Sequence, residues 1–296
     1  MANTGRELFT VRELNYETDL KQIETLFQKH HSERINEDLF VWKHMKNPFG
    51  KSFGLVAIDK DEIIAVCMFM QWEFISANKV IKAIRSNDSV TNEQYQGKGI
   101  FKDLSLKALE YYKESHEFYY GVPNKNSGPR QVKFGWKYKD NIDDLKLGIV
   151  SPFQKSIKLS ISSANENDYS NLKASVDFST NKTEAYFKWR YADSRYKFAS
   201  FGDGNFIVYE IKKWKALRMI MIYDIMGNAD LFSTMIASLS KKIKIFLVYY
   251  SDNIDFKKVK FIKTFKRKKP PILIHNDHKN IQSLLQFSLG EIDSII

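Results

Sequence analysis

The sequence predicts an α/β (α+β) fold in two domains of similar size. Three observations lead to this prediction: the chain length, an alternation of strand-like and helix-like segments in the first half, and a short repeat in the second half. The chain has 296 residues, which exceeds the roughly 100 to 200 residues of a single domain. We therefore place one domain at residues 1–150 and another at residues 151–296.

The first half begins as a strand followed by two helices. LFTVREL is the strand, and the segment from Tyr16 to Arg34 then has apolar residues at helical spacing. A second helix is predicted from Asn36 to Met45. It ends before Asn47-Pro48, because the residue before a proline disfavours helical geometry.

The first half continues with three strands and a helix. A strand, a short helical or irregular stretch and a last strand complete it. SFGLVAID and EIIAVCMFMQWEF flank Lys60-Asp61, which predicts an antiparallel hairpin, and VIKAIRSNDSVT is the next strand. From Ile100 to Tyr112 the apolar residues recur every four positions, which predicts a helix with one buried face. EFYYGVPN and KFGWKY are the remaining strands.

The composition indicates a globular protein. Hydrophobic residues make up 43% of the chain, aromatic residues 14% and charged residues 27%, unlike a disordered or fibrous protein. No run approaches the ~20 apolar residues that cross a bilayer, and the N-terminal MANTGRELF lacks the apolar core of a signal peptide. We expect a cytoplasmic protein without a membrane span.

Cysteine and histidine usage predicts neither a disulfide nor a metal site. Cys67 is the single cysteine and lies in the apolar run IIAVCMFM, where a thiol is expected to be a small buried hydrophobe. The six histidines have no cysteine partners and no HExxH spacing.

The net charge of +11 has two interpretations. Much of the excess lies between Lys241 and Lys269, a basic stretch that could attract nucleic acid, anionic lipid, CoA or nucleotide-sugars. The simpler interpretation is a solvated face that keeps the protein soluble. We prefer the second interpretation to a nucleic-acid site.

A glycine loop is the clearest chemical signal in the sequence. Residues Gln94 to Gly99 read QYQGKG between a predicted strand and a predicted helix, the context that an anion-binding loop requires. Glycines let the backbone approach a pyrophosphate, and the positive end of the next helix stabilises its charge. Neither a Rossmann fingerprint nor a P-loop is present. The alternative is an ordinary surface turn before a helix.

This loop resembles motif A of the GNAT superfamily, Q/R-x-x-G-x-G/A, with Gln94, Gly97 and Gly99 in register. DSVTNEQYQGKGIF looks like the strand, loop and helix of bacterial GNAT enzymes, and GVPNKNSGPRQVKFGW looks like their fifth strand, fourth helix and closing Gly-aromatic pair. The resemblance covers about residues 8 to 140. It implies a mixed, mostly antiparallel sheet flanked by helices, and N-acetyltransferase activity with acetyl-CoA as the co-substrate and no metal.

The resemblance also implies which residues bind the cofactor. The backbone of the fourth strand would hold the thioester and pantetheine arm, the glycine loop would bind the pyrophosphate, and one asparagine would contact CoA. These residues are Ser89, Val90, Thr91, Gln94, Gln96, Gly97, Lys98, Gly99, Ile100, Phe101 and Asn124.

The sequence leaves several candidates for the acid that protonates the leaving thiolate. Acetyl transfer to an amine needs a neutral nucleophile, a polarised thioester carbonyl and a proton donor. In many GNAT proteins the donor is a tyrosine four residues before the closing glycine, but that position is Gln131, a neutral amide. Tyr138, Tyr119 and Tyr120 are alternatives, as is departure of the thiolate without a dedicated acid.

Two carboxylates are candidate general bases. Asp88 on the fourth strand lies nearest the expected acyl position, and Glu73 on the preceding strand could act through water. A solvent-exposed or turn carboxylate without a catalytic role is the alternative for Asp88.

The second half resembles a weaker copy of the first. FVWKH at Phe40 to His44 is similar to FKWRY at Phe187 to Tyr191, although two unrelated amphipathic helices could produce this match. Where the glycine loop would recur, the chain reads IYDIMGNADLF, so a true copy would have lost CoA binding and would help to form the acceptor site. The ending SLGEIDSII resembles that of tandem GNAT proteins linked to bacterial surface sugars.

Three functions follow from these features. The preferred one is transfer of acetyl from acetyl-CoA to an amine of a small or sugar-linked acceptor held between the domains. The second is a Fem-like aminoacyl transferase that uses aminoacyl-tRNA, which the basic stretch could bind but which the intact glycine loop argues against. The third is a non-enzymatic module on a GNAT scaffold that binds nucleic acid or an anionic membrane.

Overall fold

A computed structural model describes residues 9–30, 36–139, 143–172, 177–251, 253–257, 259–265, 272–275 and 283–292. The chain forms two units, each with a core of its own. The first contains the described parts of Met1–Phe74, Val80–Tyr138 and Ile272–Gln282. The second contains those of Ile75–Lys79, Lys139–Pro271 and Ser283–Ile296.

The elements up to residue 138 follow the order predicted from the sequence. They are β1 (Thr10–Glu13), α1 (Leu20–His30), α2 (Glu37–His44), β2 (Phe53–Asp59), β3 (Glu62–Ser76), β4 (Lys79–Thr91), α3 (Ile100–Tyr111), β5 (Phe118–Gly121), α4 (Ser127–Lys133) and β6 (Lys137–Tyr138). A short 3-10 turn, Glu93–Tyr95, precedes α3. Residues 31–34 of the first predicted helix lie outside the described residues.

The rest of the chain continues the alternation of strands and helices. Its elements are β7 (Leu145–Val150), β8 (Ser160–Ser162), β9 (Ser179–Thr180), α5 (Glu184–Arg190), β10 (Lys197–Ser200), β11 (Phe206–Trp214), β12 (Leu217–Met226), α6 (Ala229–Ile243), β13 (Leu247–Ser251), β14 (Val259–Phe265), β15 (Leu273–His275) and α7 (Leu289–Ile292).

Each unit has a mixed, mostly antiparallel sheet flanked by helices, which confirms the predicted fold class. The sheet of the first unit runs β1-β2-β3-β4-β5-β15-β6, and that of the second runs β14-β7-β13-β12-β11-β10-β8. The parallel neighbours are β4 with β5 and β12 with β13. A helix connects each of these pairs, α3 in the first unit and α6 in the second, as parallel strands require a crossover.

Local sequence signals explain several elements of the first unit. Lys60 and Asp61 both have positive φ, 48° and 68°, so they form the tight turn between β2 and β3. The side chain of Asn36 accepts a hydrogen bond from the Leu39 N–H and begins α2. The apolar face of α3 is buried in the core, as its four-residue spacing predicts, and Cys67 lies in the same core.

The two similar segments in the halves of the chain have the same secondary structure. FVWKH lies on α2, and FKWRY covers the end of α5 and its C-cap residue Tyr191. Each helix begins at a side-chain cap, Asn36 or Thr183, and is followed by an antiparallel pair of strands. A duplication of the whole domain stays a prediction.

Part of the basic stretch is engaged in the structure of the second unit. The ammonium of Lys242 donates to the carbonyl of Leu159 at 2.7 Å, and that of Lys241 donates to the carbonyl of Gln154. Residues 266–269, the most basic part, and the last four residues of the chain lie outside the described residues. Among the helices that the structure describes, none has both the length and the apolar content to cross a membrane.

His116 makes the stability of the first unit depend on pH. Burial and then the charge of Lys82 lower the pKa of His116 to about 4, against about 6.5 in an unfolded chain. Between these values the unfolded chain binds a proton that the native unit does not, so stability is full above about pH 6.5 and falls as the pH drops. Urea unfolding at about pH 7 and about pH 5 should show this loss.

The variant His116→Gln should have a shallower pH dependence than the native protein. It should retain some, because burial also lowers the pKa of His44. An unchanged slope in this variant would contradict the assignment to His116.

Candidate cofactor site

In the described part of the chain, the end of β4 has no neighbouring strand on the β5 side. The two strands pair in parallel from Ala83 with Phe118 to Ser86 with Gly121, whereas β4 continues to Thr91. Beyond Ser86 the backbone groups on this edge of β4 are therefore available to a bound molecule.

The glycine loop follows directly and leads into α3. Gly97 and Gly99 have φ of 79° and 87°, in the left-handed region, and an added Cβ at either position would meet no atom within 4 Å. Gly99 is the N-cap of α3, with no side-chain hydrogen bond to the helix. The first N–H groups of α3 have no intrahelical acceptor and carry the positive end of the helix dipole.

A cavity of about 440 Å³ lies between the free end of β4, the glycine loop and α4. The predicted cofactor residues that line it are Ser89, Val90, Thr91, Gln96, Gly97, Gly99, Ile100, Phe101 and Asn124. Lys102 and Arg130 also line it, and no aspartate or glutamate among the described residues does. The structure thus brings most of the predicted residues together around a cavity that favours an anion.

Two predicted cofactor residues do not line the cavity. The ammonium of Lys98 lies 4.6 Å from the centre of the Tyr95 ring, which places the cation over an aromatic face. The N–H of Gln94 donates to Oδ1 of Asn92 at 3.1 Å, so Gln94 helps to form the turn before the loop.

Sequence reasoning missed several residues that line this cavity. They are Tyr95, Lys102, Asn126, Ser127, Arg130 and Phe134. Arg130 and Phe134 are four positions apart, at the end of α4, so helical spacing could have placed them on one face. Lys102 lies in the first turn of α3, where a side chain flanks any anion bound at the helix start.

Asn124 has a structural role beside its predicted one. Its Oδ1 accepts hydrogen bonds from the N–H groups of Asn126 at 2.8 Å and Ser127 at 2.9 Å, which supports the start of α4. Only the amide nitrogen of this side chain is left to donate into the cavity.

The carboxylate of Asp88 is held in a buried network. Its Oδ2 lies 2.9 Å from Nζ of Lys43 and 3.0 Å from Nε2 of His44, and its φ is 39°. Burial alone would raise the pKa of Asp88, but the charge of Lys43 and the hydrogen bond from His44 outweigh it and hold the pKa well below its usual range. A carboxylate with so low a pKa is a weak proton acceptor.

His44 extends this network to Ser52. Its Nδ1 lies 3.0 Å from Oγ of Ser52, so serine, histidine and aspartate form a chain of contacts. Both Ser52 and His44 are buried. Because no substrate could reach that serine, the chain is a structural link between α2 and β4 and not a nucleophilic triad.

The candidate acids and bases are not among the described residues that line the cavity, although Asp88 directly precedes the lining residue Ser89. The hydroxyl of Tyr119 donates to the carbonyl of Leu109 at 3.2 Å, and burial raises its pKa. Tyr120 is buried with its ring 6.3 Å from that of Trp72. Tyr138 is half-buried, with its hydroxyl 3.0 Å from the point that a Cβ on Gly128 would occupy. Glu73 is half-buried on β3.

Gln131 lies at the point where β4 and β5 stop pairing. It is buried, with Nε2 3.5 Å from Oγ of Ser86, and its Oε1 has no hydrogen-bond partner in the described part of the chain. The structure therefore places the amide of Gln131 beside the last residue pair of these strands, next to the pair that Tyr120 forms with Arg85.

In the second unit two backbone N–H groups of the corresponding turn already have side-chain acceptors. Oδ1 of Asn205 accepts a hydrogen bond from the Asn228 N–H at 2.8 Å, and a Cβ on Gly227 would lie 2.3 Å from that oxygen. Oδ1 of Asn228 in turn accepts from the Asp230 N–H at 3.0 Å. The first amides at α6 are thus occupied, and Asp230 adds a negative charge there.

Comparison with known proteins supports the sequence resemblance. A family model described as an acetyltransferase (GNAT) domain matches residues 10–139. A comparison with curated protein sequences finds no significant match. Within the described residues there is no group of three or more His, Cys, Asp or Glu side chains that could hold a metal ion.

Solved structures share the fold at low sequence identity. A GCN5-related N-acetyltransferase from Kribbella flavida has a TM-score of 0.64 at 12% identity, covering 90% of this chain and 71% of that one. Another from Anabaena variabilis has a TM-score of 0.61 at 10% identity, with 92% and 73% covered. Eis1 from Mycobacterium abscessus has a TM-score of 0.62 at 11% identity, with 90% and 73% covered. Residues 10–139 thus match a GNAT acetyltransferase domain, within a chain that shares its fold with solved N-acetyltransferases.

Proposed function

We propose that this protein transfers the acetyl group of acetyl-CoA to an amine of a small or sugar-linked acceptor. The observation that carries the proposal is the 440 Å³ cavity, which combines an open glycine loop, a helix start and two cations without any acidic residue. A pyrophosphate is an anion that such a site favours.

Each part of the cavity would hold a different part of acetyl-CoA. The backbone from Gly97 to Phe101 would bind the pyrophosphate, with Lys102 and Arg130 as flanking cations. The free edge of β4 from Ser89 to Thr91 would hold the pantetheine arm and offer N–H groups to the thioester carbonyl. Acetyl-CoA supplies an activated acyl group, and its thiol is a far stronger acid than an alcohol.

Proton transfer has two candidate bases and one candidate acid. Asp88 and Glu73 are the candidate bases and Tyr138 the candidate acid. The low pKa of Asp88 makes it a weak base, because the ion pair with Lys43 favours the ionised carboxylate. We expect Asp88 to have a structural role, in which its ion pair holds the end of β4 in the geometry that lines the cavity.

Titration with acetyl-CoA by calorimetry tests the proposal. The double variant Lys102→Glu and Arg130→Glu should bind acetyl-CoA about tenfold or more weakly, and the difference should shrink at high salt because exposed charges are screened. Lys107→Glu is the matched control, because Lys107 is also exposed on α3 but does not line the cavity.

The acceptor class is tested by release of the CoA thiol. Glucosamine should support release, and glucose, which lacks the amine, should not. If the native protein binds no acetyl-CoA, the proposal is wrong, and aminoacyl-tRNA and anionic vesicles become the ligands to test.

A further inference from the structure

The second unit contains a cavity of its own, with a volume of about 550 Å³. It lies between the ends of β12 and β13, the start of α6 and the segment that leads into α7. This volume is within the range of small-molecule sites, about 300 to 1,000 Å³. All of the residues that line it belong to the second unit.

The turn before α6 excludes a pyrophosphate from this cavity. In the first unit the space at the glycines is open, whereas here the N–H groups of Asn228 and Asp230 donate to asparagine side chains and Asn205 lies against Gly227. The exposed Asp230 at the cavity mouth would also repel an anion. A second CoA is therefore not the expected ligand.

The buried charges that line the cavity cancel each other. Nζ of Lys182 lies 2.6 Å from Oδ1 of Asp224, with side chains only 9% and 1% exposed. The hydroxyl of Tyr191 donates to the other oxygen of Asp224 at 2.6 Å. Burial raises the pKa of Glu291, which lies 3.8 Å from Lys182 and does not line the cavity, and so favours its neutral form. The buried pair therefore offers a charged ligand no unpaired opposite charge, and the exposed lining residues Asp230, Asp255 and Lys257 add two negative charges and one positive charge.

Serine hydroxyls line part of the cavity. Ser233 on α6 is 6% exposed and Ser251 at the end of β13 is 5% exposed. Ser288, in the segment before α7, also lines the cavity, and its buried hydroxyl oxygen has no hydrogen-bond partner among the described residues. A buried hydroxyl without a partner is unfavourable, and it can both donate to and accept from a ligand.

The remaining wall of the cavity is largely apolar. Ile222, Met226, Phe232, Phe287 and Leu289 contribute to it. Such a surface packs against hydrocarbon or a sugar ring face and gains free energy from the water that it releases.

We propose that this cavity is a binding site for an uncharged small molecule that has an apolar body and hydroxyl or amide groups. The body packs against the apolar wall, and the polar groups reach Ser233, Ser251 and Ser288. The proposal does not depend on acetyl transfer in the first unit.

Methyl resonances of ¹³C-labelled methionine test the proposal at the site itself. Met226 lines the cavity, and the variant Met226→Leu assigns its resonance. The probes are phenyl β-D-glucoside and N-acetyltyrosinamide, with phenyl β-D-glucuronide as an anion of matched shape. At least one neutral probe should shift the Met226 resonance in a saturable way, and the glucuronide should bind about tenfold or more weakly than the glucoside.

Two variants connect the shift to the cavity. Ser233→Leu fills the space and should abolish the shift, whereas Ser238→Ala on the same helix should leave it unchanged. If Ser233→Leu does not fold, Ser233→Ala with Ser251→Ala removes both hydroxyls without added volume and should weaken binding about tenfold.

The proposal fails if neither neutral probe shifts Met226 at millimolar concentration, or if the glucuronide binds as well as the glucoside. Because acetyl-CoA is absent from these samples, this failure is distinct from any failure of acetyl transfer in the first unit.

Discussion

Valine at both Gly97 and Gly99 is expected to weaken the binding of acetyl-CoA about 100-fold or more, which is about 2.7 kcal/mol. Both positions have φ in the left-handed region, where a β-branched residue is strongly disfavoured, so the loop must change its backbone path. The added side chains would also project into space that is now open beside the cavity. Calorimetric titration of the native protein and the variant measures this loss.

The matched control for this experiment is Gly202→Val. Gly202 has φ of 56°, and an added Cβ there would also meet no atom within 4 Å, but it lies in the second unit and does not line the cavity. It therefore imposes a similar backbone strain away from the glycine loop. Unchanged affinity in the double valine variant would show that acetyl-CoA binds elsewhere, and equal loss in Gly202→Val would indicate general destabilisation.

The order of elements in the first unit could be predicted because its signals are local. Apolar spacing indicates α3, two turn residues form the hairpin after β2, and Asn36 begins α2. The glycine loop could be predicted for the same reason, since six consecutive residues carry it.

The pairing of β15 could not be predicted from such signals. Leu273 to His275 pair antiparallel with β5, and the first two of them also pair with β6, although 152 positions separate Leu273 from Gly121 and 135 separate it from Tyr138. A strand of three residues is too short to show a period, and its place in the sheet depends on contacts that form only in the folded unit. The two units consequently interleave along the sequence.

The environment of Asp88 also depends on contacts that are remote in sequence. The sequence identified a carboxylate near the expected acyl position, but Lys43 and His44 lie more than 40 residues earlier and lack a motif that connects them to it. The strand-like sequence of β4 also gives no sign that the backbone at Asp88 has a positive φ. The partners of a buried charge, and therefore its pKa, follow from the tertiary structure.

Replacement of Asp88 by alanine is expected to destabilise the first unit by about 3 to 5 kcal/mol. The change leaves the ammonium of Lys43, whose side chain is 5% exposed, without its carboxylate partner. Urea unfolding measures the loss, and the double variant Asp88→Ala with Lys43→Met should recover much of it because no unpaired charge then remains buried.

The exposed pair Glu110 and Lys113 supplies the matched control for this prediction. Their ion pair is 2.8 Å long, similar to that of Asp88, but the side chains are 70% and 49% exposed. Glu110→Ala should therefore cost less than about 1 kcal/mol, because water solvates the remaining charge. The variant Asp88→Asn separates the structural role from catalysis. If it unfolds like the native protein but has lost acetyl transfer, Asp88 acts as a base, and the structural interpretation of its ion pair is wrong.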